Sequence, residues 1–216
     1  GPELLAYHLT GAGLVEQAIP EWRKAGERAI QGCAYLEAIE HLSQGIKLLR
    51  ALPETPDTLR EEARFLQLIG VPIAATKGYS CPEAEEVYTR SFALCERLGD
   101  GQQLFISLYG LARLHMLRGE YATALADGER LLGIAQRSAE PAFLGQANRA
   151  CGATRFYRGE FERSRAHFER VLALTVTPEQ RAKALLSDIV DCWIAARAYL
   201  GWLLWMVGRP DEARRM

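Results

Sequence analysis

The sequence predicts an all-α fold of about five antiparallel helical hairpins, and three observations lead there. Ala, Leu, Glu, Arg and Gln, all good helix formers, dominate the 216 residues, while β-branched residues rarely cluster. Helix-starting and helix-ending signals recur at short intervals, so the connections are short and successive helices must run antiparallel. Small residues also recur on faces that are otherwise apolar. In LYGLARLHMLRGEYATALADGERLL (108–132), Gly110, Ala112 and Ala124 would give a lone helix nothing; a second helix lying against them would explain their size.

In chain order, the sequence predicts helices over 3–11, 15–31, 34–51, 57–76, 82–98, 101–118, 121–137, 140–158, 161–174 and 178–207, with an eleventh from 210 onward. TPD at Thr55–Asp57 opens the fourth. SCPE (Ser80–Glu83) and TPEQ (Thr177–Gln180) have the Ser/Thr-x-x-Glu/Gln form of a capping box, in which the first and fourth side chains each satisfy an orphan backbone N–H. Gly32, Gly119, Gly159 and Gly208 each end one helical pattern shortly before the next, the place of a left-handed C-terminal cap. The span 178–207 is long enough to break near Ser187–Asp188.

An internal period underlies this punctuation. GCAYLEAIEHLSQGIKLL, GEYATALADGERLL, GEFERSRAHFERVL and GRPDEARRM start at those four glycines. Each carries an early aromatic or proline (Tyr35, Tyr121, Phe161, Pro210), then a small residue three positions on (Ala38, Ala124, Ser164, Ala213). Nine positions before the aromatic or proline stand Gly26, Ala112, Gly152 and Gly201, preceded by Ala25, Leu111, Cys151 and Leu200, and Trp22 precedes Gly26 by four. The pattern resembles the tetratricopeptide repeat (TPR), in which tiny residues mark where paired helices approach most closely. The resemblance implies a right-handed superhelix of hairpins. Agreement is uneven: Gly128 stands where a large residue is usual, and the pair 57–76/82–98 matches only through Ala84 and Tyr88. Spacings of 40 residues from Ala112 to Gly152 and 49 from Gly152 to Gly201 exceed the usual repeat of about 34.

PELLAYHLTGAGLVEQAIPEWRKAGERAI, ALPETP, GVPIAATKGYSCPEAEEVYTRS, QLFISLYGL and LGWLLWMVGRPDEA extend the likeness over almost the whole chain. They are similar to the C-terminal helical region of bacterial multidomain signalling proteins, which carry a signal-transduction ATPase module, often behind a class III adenylate cyclase. That implies a sensor or interaction arm whose phosphate-binding loop lies upstream; no GxxxxGK followed by Ser or Thr occurs here. Gly1–Pro2 reads as a tag remnant, and both ends as boundaries within a larger protein; residues 1–216 are expected to form one repeat domain.

Composition narrows the function classes. The formal net charge of −1 offers no global field to draw nucleic acid or an anionic membrane. Arg155, Arg158, Arg163, Arg165 and Arg170 in RFYRGEFERSRAHFER alternate with Glu160, Glu162 and Glu169, which suits pairing along exposed helices better than nucleic-acid contact. The five cysteines (Cys33, Cys81, Cys95, Cys151, Cys192) show no CxxC spacing, favouring free thiols and a reducing, cytoplasmic setting. The most apolar run, Ala198–Gly208, is too short to span a bilayer, and no signal peptide is visible. His8, His41, His115 and His167 have no i,i+4 relation, neither HExxH nor GxSxG occurs, and Glu61–Glu62 and Glu85–Glu86 read as solvated faces. No metal, cofactor or catalytic residue is expected.

In the family resembled here, the first helix of each repeat lines the concave face at positions flanking the tiny residue. Carried over, these are Arg23, Glu27 and Ile30; Tyr109, Arg113, Met116 and Leu117; Arg149, Phe156 and Tyr157; and Trp202, Trp205 and Met206. Aromatic residues and arginine dominate interface energetics. The expectation is therefore a regulatory arm binding a protein partner, or other domains of its own chain, with homodimerisation through an apolar end open; the alternative is a small-molecule effector sensor. For Trp202 and Trp205 the favoured reading is instead core, packed against the helix from 210 onward and a missing next repeat.

Overall fold

The computed structural model describes residues 1–138, 140–184 and 190–216. Among them there are twelve helices and no strand: α1 (Pro2–Gly11), α2 (Val15–Gln31), α3 (Tyr35–Arg50), α4 (Pro56–Lys77), α5 (Pro82–Leu98), α6 (Gly101–Leu117), α7 (Tyr121–Ser138), α8 (Pro141–Tyr157), α9 (Phe161–Ala173), α10 (Pro178–Ala184), α11 (Cys192–Met206) and α12 (Pro210–Ala213). No helix among the described residues is long and apolar enough to cross a membrane. The chain divides into two compact units, Gly1–Ser107 and Leu108–Met216, with the division inside α6.

In unit 1, α1 packs on α2, α2 on α3, α3 on α4 and α4 on α5. The packing follows from missing side chains. A Cβ on Gly26 would stand 2.5 Å from Leu42, and one on Gly70 would stand 2.5 Å from the Tyr88 ring. A Cβ on Gly45 would enter the ring of Phe65, a fully buried side chain. In unit 2, α8 packs on α7 and α9, and α11 on α8, α9 and α12. Here Gly152 lies under Phe168, with a Cβ–ring distance of 3.0 Å, and the Ser164 hydroxyl donates to the Gly152 carbonyl at 2.8 Å.

One rule covers three of these contacts. The tiny residue of the first helix receives the large residue four positions after the small one of the second: Leu42 after Ala38, Tyr88 after Ala84, Phe168 after Ser164. Ala38, Ala124 and Ser164 are fully buried and Ala112 nearly so. Gly70 completes the hairpin that the sequence matched only weakly, because the connection before α5 is longer and displaces it from the counted position. Gly128, out of pattern in sequence, makes room for Cys151, whose sulfur would stand 2.7 Å from an added Cβ. Gly201 is the exception: an added Cβ meets nothing nearer than the Ala213 carbonyl at 3.8 Å, so this is not a tight crossing.

Helix ends correct several sequence expectations. Gly119, Gly159 and Gly208 are left-handed, with φ of 79°, 75° and 79°, but Gly32 is not; at that turn Cys33 takes φ 56°. At all four turns the residue after the left-handed one donates to the carbonyl five back (Ala34 to Ala29, Glu120 to His115, Glu160 to Arg155, Arg209 to Leu204), so Cys33 holds the place glycine holds elsewhere. Thr55 caps α4 in a reciprocal box with Thr58 rather than with an acid. TPEQ forms both arms, Gln180 N–H to Thr177 Oγ1 at 3.2 Å and Thr177 N–H to Gln180 Oε1 at 2.9 Å. In SCPE the N-cap is Cys81 rather than Ser80, without a side-chain cap bond, and Glu83 pairs with Lys77 at 2.7 Å.

The single helix expected over 178–207 is two. Val190 and Asp191 are not helical, and Asp191 starts α11 by accepting from the N–H groups of Trp193 (2.8 Å) and Ile194 (3.2 Å). Arg181 holds the other Asp191 oxygen at 2.7 Å and lies over the Trp193 ring. The break expected near Ser187–Asp188 lies outside the described residues.

Candidate functional site

Unit 2 gathers most of the sequence-predicted recognition residues. Tyr109 and Arg113 are one turn apart on α6, which puts both on one face, and Arg149 on α8 holds the corresponding position one repeat later. Arg149 Nη1 donates to the Tyr109 hydroxyl at 2.6 Å, and the Arg113 guanidinium carbon lies 5.9 Å from the Tyr109 ring centre. Tyr109 is fully buried and both arginines are 8% exposed, so this trio forms a floor rather than a contact surface. Met116 is also inward, packed against the core around Phe168, Trp193 and Leu200.

Above the floor is a ring cluster. Tyr199 stacks on Phe168 at 5.0 Å and meets Phe156 (5.2 Å) and Trp202 (5.3 Å) edge-on. Its hydroxyl donates to that of Tyr157 at 3.4 Å, and Tyr157 in turn stacks on Tyr121 at 6.2 Å. Burial first, then the Tyr157 hydroxyl, drive the Tyr199 phenol far above its ordinary range, while the charges of Arg149 and Arg113 pull the other way; it stays neutral. Tyr157, Trp202 and Trp205 are 48%, 56% and 61% exposed, and Met206 is exposed beside them. The last helix therefore does not bury Trp202 and Trp205. α12 is only four residues long and covers neither indole.

Tyr199 was missed because counting from Gly201 passes over it. Its spacing to Trp202, i to i+3, places both on one helix face and was a usable signal. The remaining candidates lie in unit 1: Arg23 and Glu27 bond to each other at 3.0 Å, with Glu61 at 3.6 Å from Arg23, while Ile30 is buried. These and the unit 2 residues belong to separate clusters.

The arginine-rich run is internally neutralised. Glu160 binds Arg155 (2.6 Å), Arg158 (2.7 Å) and Arg163 (3.5 Å), and Glu169 binds Arg165 (2.7 Å). His115 pairs with Asp127 at 2.8 Å across α6 and α7. His167 sits against Gly152 and bonds Asn148 at 3.0 Å; because Asn148 donates its amide to the Leu144 carbonyl, its oxygen faces the imidazole, whose Nδ1 must carry the proton. Burial, then the charges of Arg155 and Arg170, push this imidazole down to about 4. Among the described residues no group of His, Cys, Asp and Glu could hold a metal ion, and the five cysteines are free.

The comparisons with known proteins agree with this architecture. A tetratricopeptide-repeat profile matches residues 107–126 and 194–216. An uncharacterized protein of Rhizobium meliloti (strain 1021) is 25% identical over 214 residues, 97% of this chain but 20% of its own length, so the chain spans about a fifth of the curated relative it matches. The structure of BtubC (BKLC) from P. vanneervenii superposes with a TM-score of 0.70 at 15% identity, over 99% of this chain and 82% of that one. A putative kinesin light chain from Podosopora anserina, of nearly identical TPR-like repeats, gives 0.60 at 18% identity, over 91% and 90%. The chain has a TPR-like, all-helical hairpin fold.

Proposed function

We propose that this domain is a non-catalytic recognition arm of a bacterial multidomain signalling protein, and that it binds a protein partner, or another domain of its own chain, through the ring cluster of unit 2. TPR repeats generally mediate protein–protein interaction. The observation that carries the assignment is the exposed pair Tyr157 and Trp202, both in contact with the partly buried Tyr199 ring, which itself stacks on the buried Phe168. Rigid aromatic side chains resting on an ordered base supply contact area at low entropic cost, the property of interface hot spots. A longer parent protein is supported by a bacterial relative about five times the length of the region it shares with this chain.

A photo-crosslinking amino acid at 202, within the full-length protein in its host, should capture one partner or an internal domain; the same group at Leu36, more exposed but in unit 1, should not. Trp202→Ala should then weaken that association by about ten- to thirtyfold. Equal capture at both positions would sink the assignment. The alternative, a small-molecule effector, predicts a saturable rise in melting temperature with sugars or nucleotides; the protein-binding reading predicts none.

A further inference from the structure

We propose that unit 1 carries a separate recognition site, a shallow cleft that takes a lysine side chain and an adjacent apolar residue from a partner protein. The cleft, of about 280 Å³, opens between α2, the end of α3 and the start of α4. Ile19, Pro20, Leu49 and Leu52 supply the apolar part of its lining, and Ile19 and Leu49 are nearly buried. Every charged residue lining it is acidic: Glu16, Asp57 and Glu61.

The three carboxylates are not equivalent. Asp57 is held by Arg60 at 2.8 Å, and Glu61 by Arg64 at 2.8 Å and Arg23 at 3.6 Å. Glu16 is in no ion pair among the described residues, so one negative charge of the lining lacks a counter-charge. Pro20, itself in the lining, also leaves a main-chain acceptor without its helical donor. Pro20 is inside α2 and brings no N–H to its ladder, so the Glu16 carbonyl, four residues back, has lost its usual donor. An apolar surface next to an uncompensated carboxylate and a spare carbonyl fits an aliphatic stem ending in an ammonium with three donors. Arginine fits less well, because its planar fork favours a bidentate carboxylate, and the two better-ordered ones already hold arginines.

The test uses the chain with methyl-labelled Ile and Leu and, as probe, the blocked peptide acetyl-Ala-Lys-Leu-Ala-amide. Saturable shifts confined to the Ile19, Leu49 and Leu52 methyls are expected. Substituting the peptide lysine with norleucine or glutamate should abolish them. Glu16→Gln combined with Asp57→Asn should weaken binding about three- to tenfold while the melting temperature falls by only a few degrees, since both are exposed acids in the first turn of a helix. No saturable shift at those methyls, equal shifts with the glutamate peptide, or unchanged affinity in the double variant would each overturn the proposal. None of these results bears on the ring cluster of unit 2.

Discussion

Unit 1 and unit 2 repeat one packing device, a glycine under a large side chain, yet they surround it with different polar chemistry. In unit 1 the buried carboxylate of Glu62, 4% exposed, is gripped by Arg90 at 2.7 Å and Arg50 at 3.0 Å, so α3, α4 and α5 meet at one ion-pair clamp. Next to it, Gln67 donates to Ser107 Oγ and to the Gln103 carbonyl, both at 2.9 Å, and Ser107 shares a 2.7 Å bond with Ser91. In unit 2 the comparable position is given to rings: Tyr109 under Arg149, Tyr199 on Phe168, His167 kept neutral beside Asn148. The repeat fixes where helices touch, and leaves open which polar groups fill the remaining space. The half that fills it with rings also exposes rings.

Overpacking should distinguish the two halves most strongly. Gly45→Leu forces a side chain into the buried Phe65 ring and should cost about 3 kcal/mol, lowering the melting temperature by roughly 6–12 °C. Gly152→Leu meets Phe168 at 3.0 Å and should cost about 1–3 kcal/mol. Thermal unfolding of the two variants ranks them; a harmless Gly45→Leu would end the claim that Phe65 leaves no room at Gly45.

Acid should come next. His167 is neutral when folded down to about 4, whereas the unfolded imidazole takes a proton near 6.5. Its folded value is depressed, so its contribution is complete above about 6.5 and is lost as pH falls toward 4, at most about 3 kcal/mol in all. Burial pushes the Glu62 carboxyl up, but hydrogen bonds from Arg90 and Arg50 outweigh it and hold the group below its ordinary 4.5. The clamp therefore weakens only below about pH 4.5. His167→Gln should flatten the melting temperature between pH 7 and 5, while Glu62→Gln should leave that slope intact. A slope unchanged in His167→Gln would remove the imidazole from the account.

The smallest effect lies at a turn. Cys33 holds a left-handed conformation that glycine adopts freely, so Cys33→Gly should stabilise by about 1 kcal/mol. The matching Gly119→Cys should destabilise by a similar amount. Denaturant midpoints would show both, and shifts of the same sign in the two variants would mean the two turns are not alike.

The sequence by itself determined the helices, their hairpin order and most close approaches, because those depend on local signals: caps, short connections and absent side chains at fixed offsets. Gly26, Gly152 and Ser164 were legible for that reason, whereas Gly70 was hidden by a longer connection and Gly201 matched the offset without a neighbour close enough to need it. The tertiary structure alone decided which candidate side chains face outward. Tyr109, Arg113 and Arg149 share positions with more exposed residues of other repeats, yet all three are buried, with Arg149 bonded to Tyr109 across α8 and α6. Trp202 and Trp205, read as core from hydrophobicity, remain exposed. Burial depends on what the neighbouring helix brings to a position, and that neighbour lies about forty residues away, beyond the reach of any local pattern.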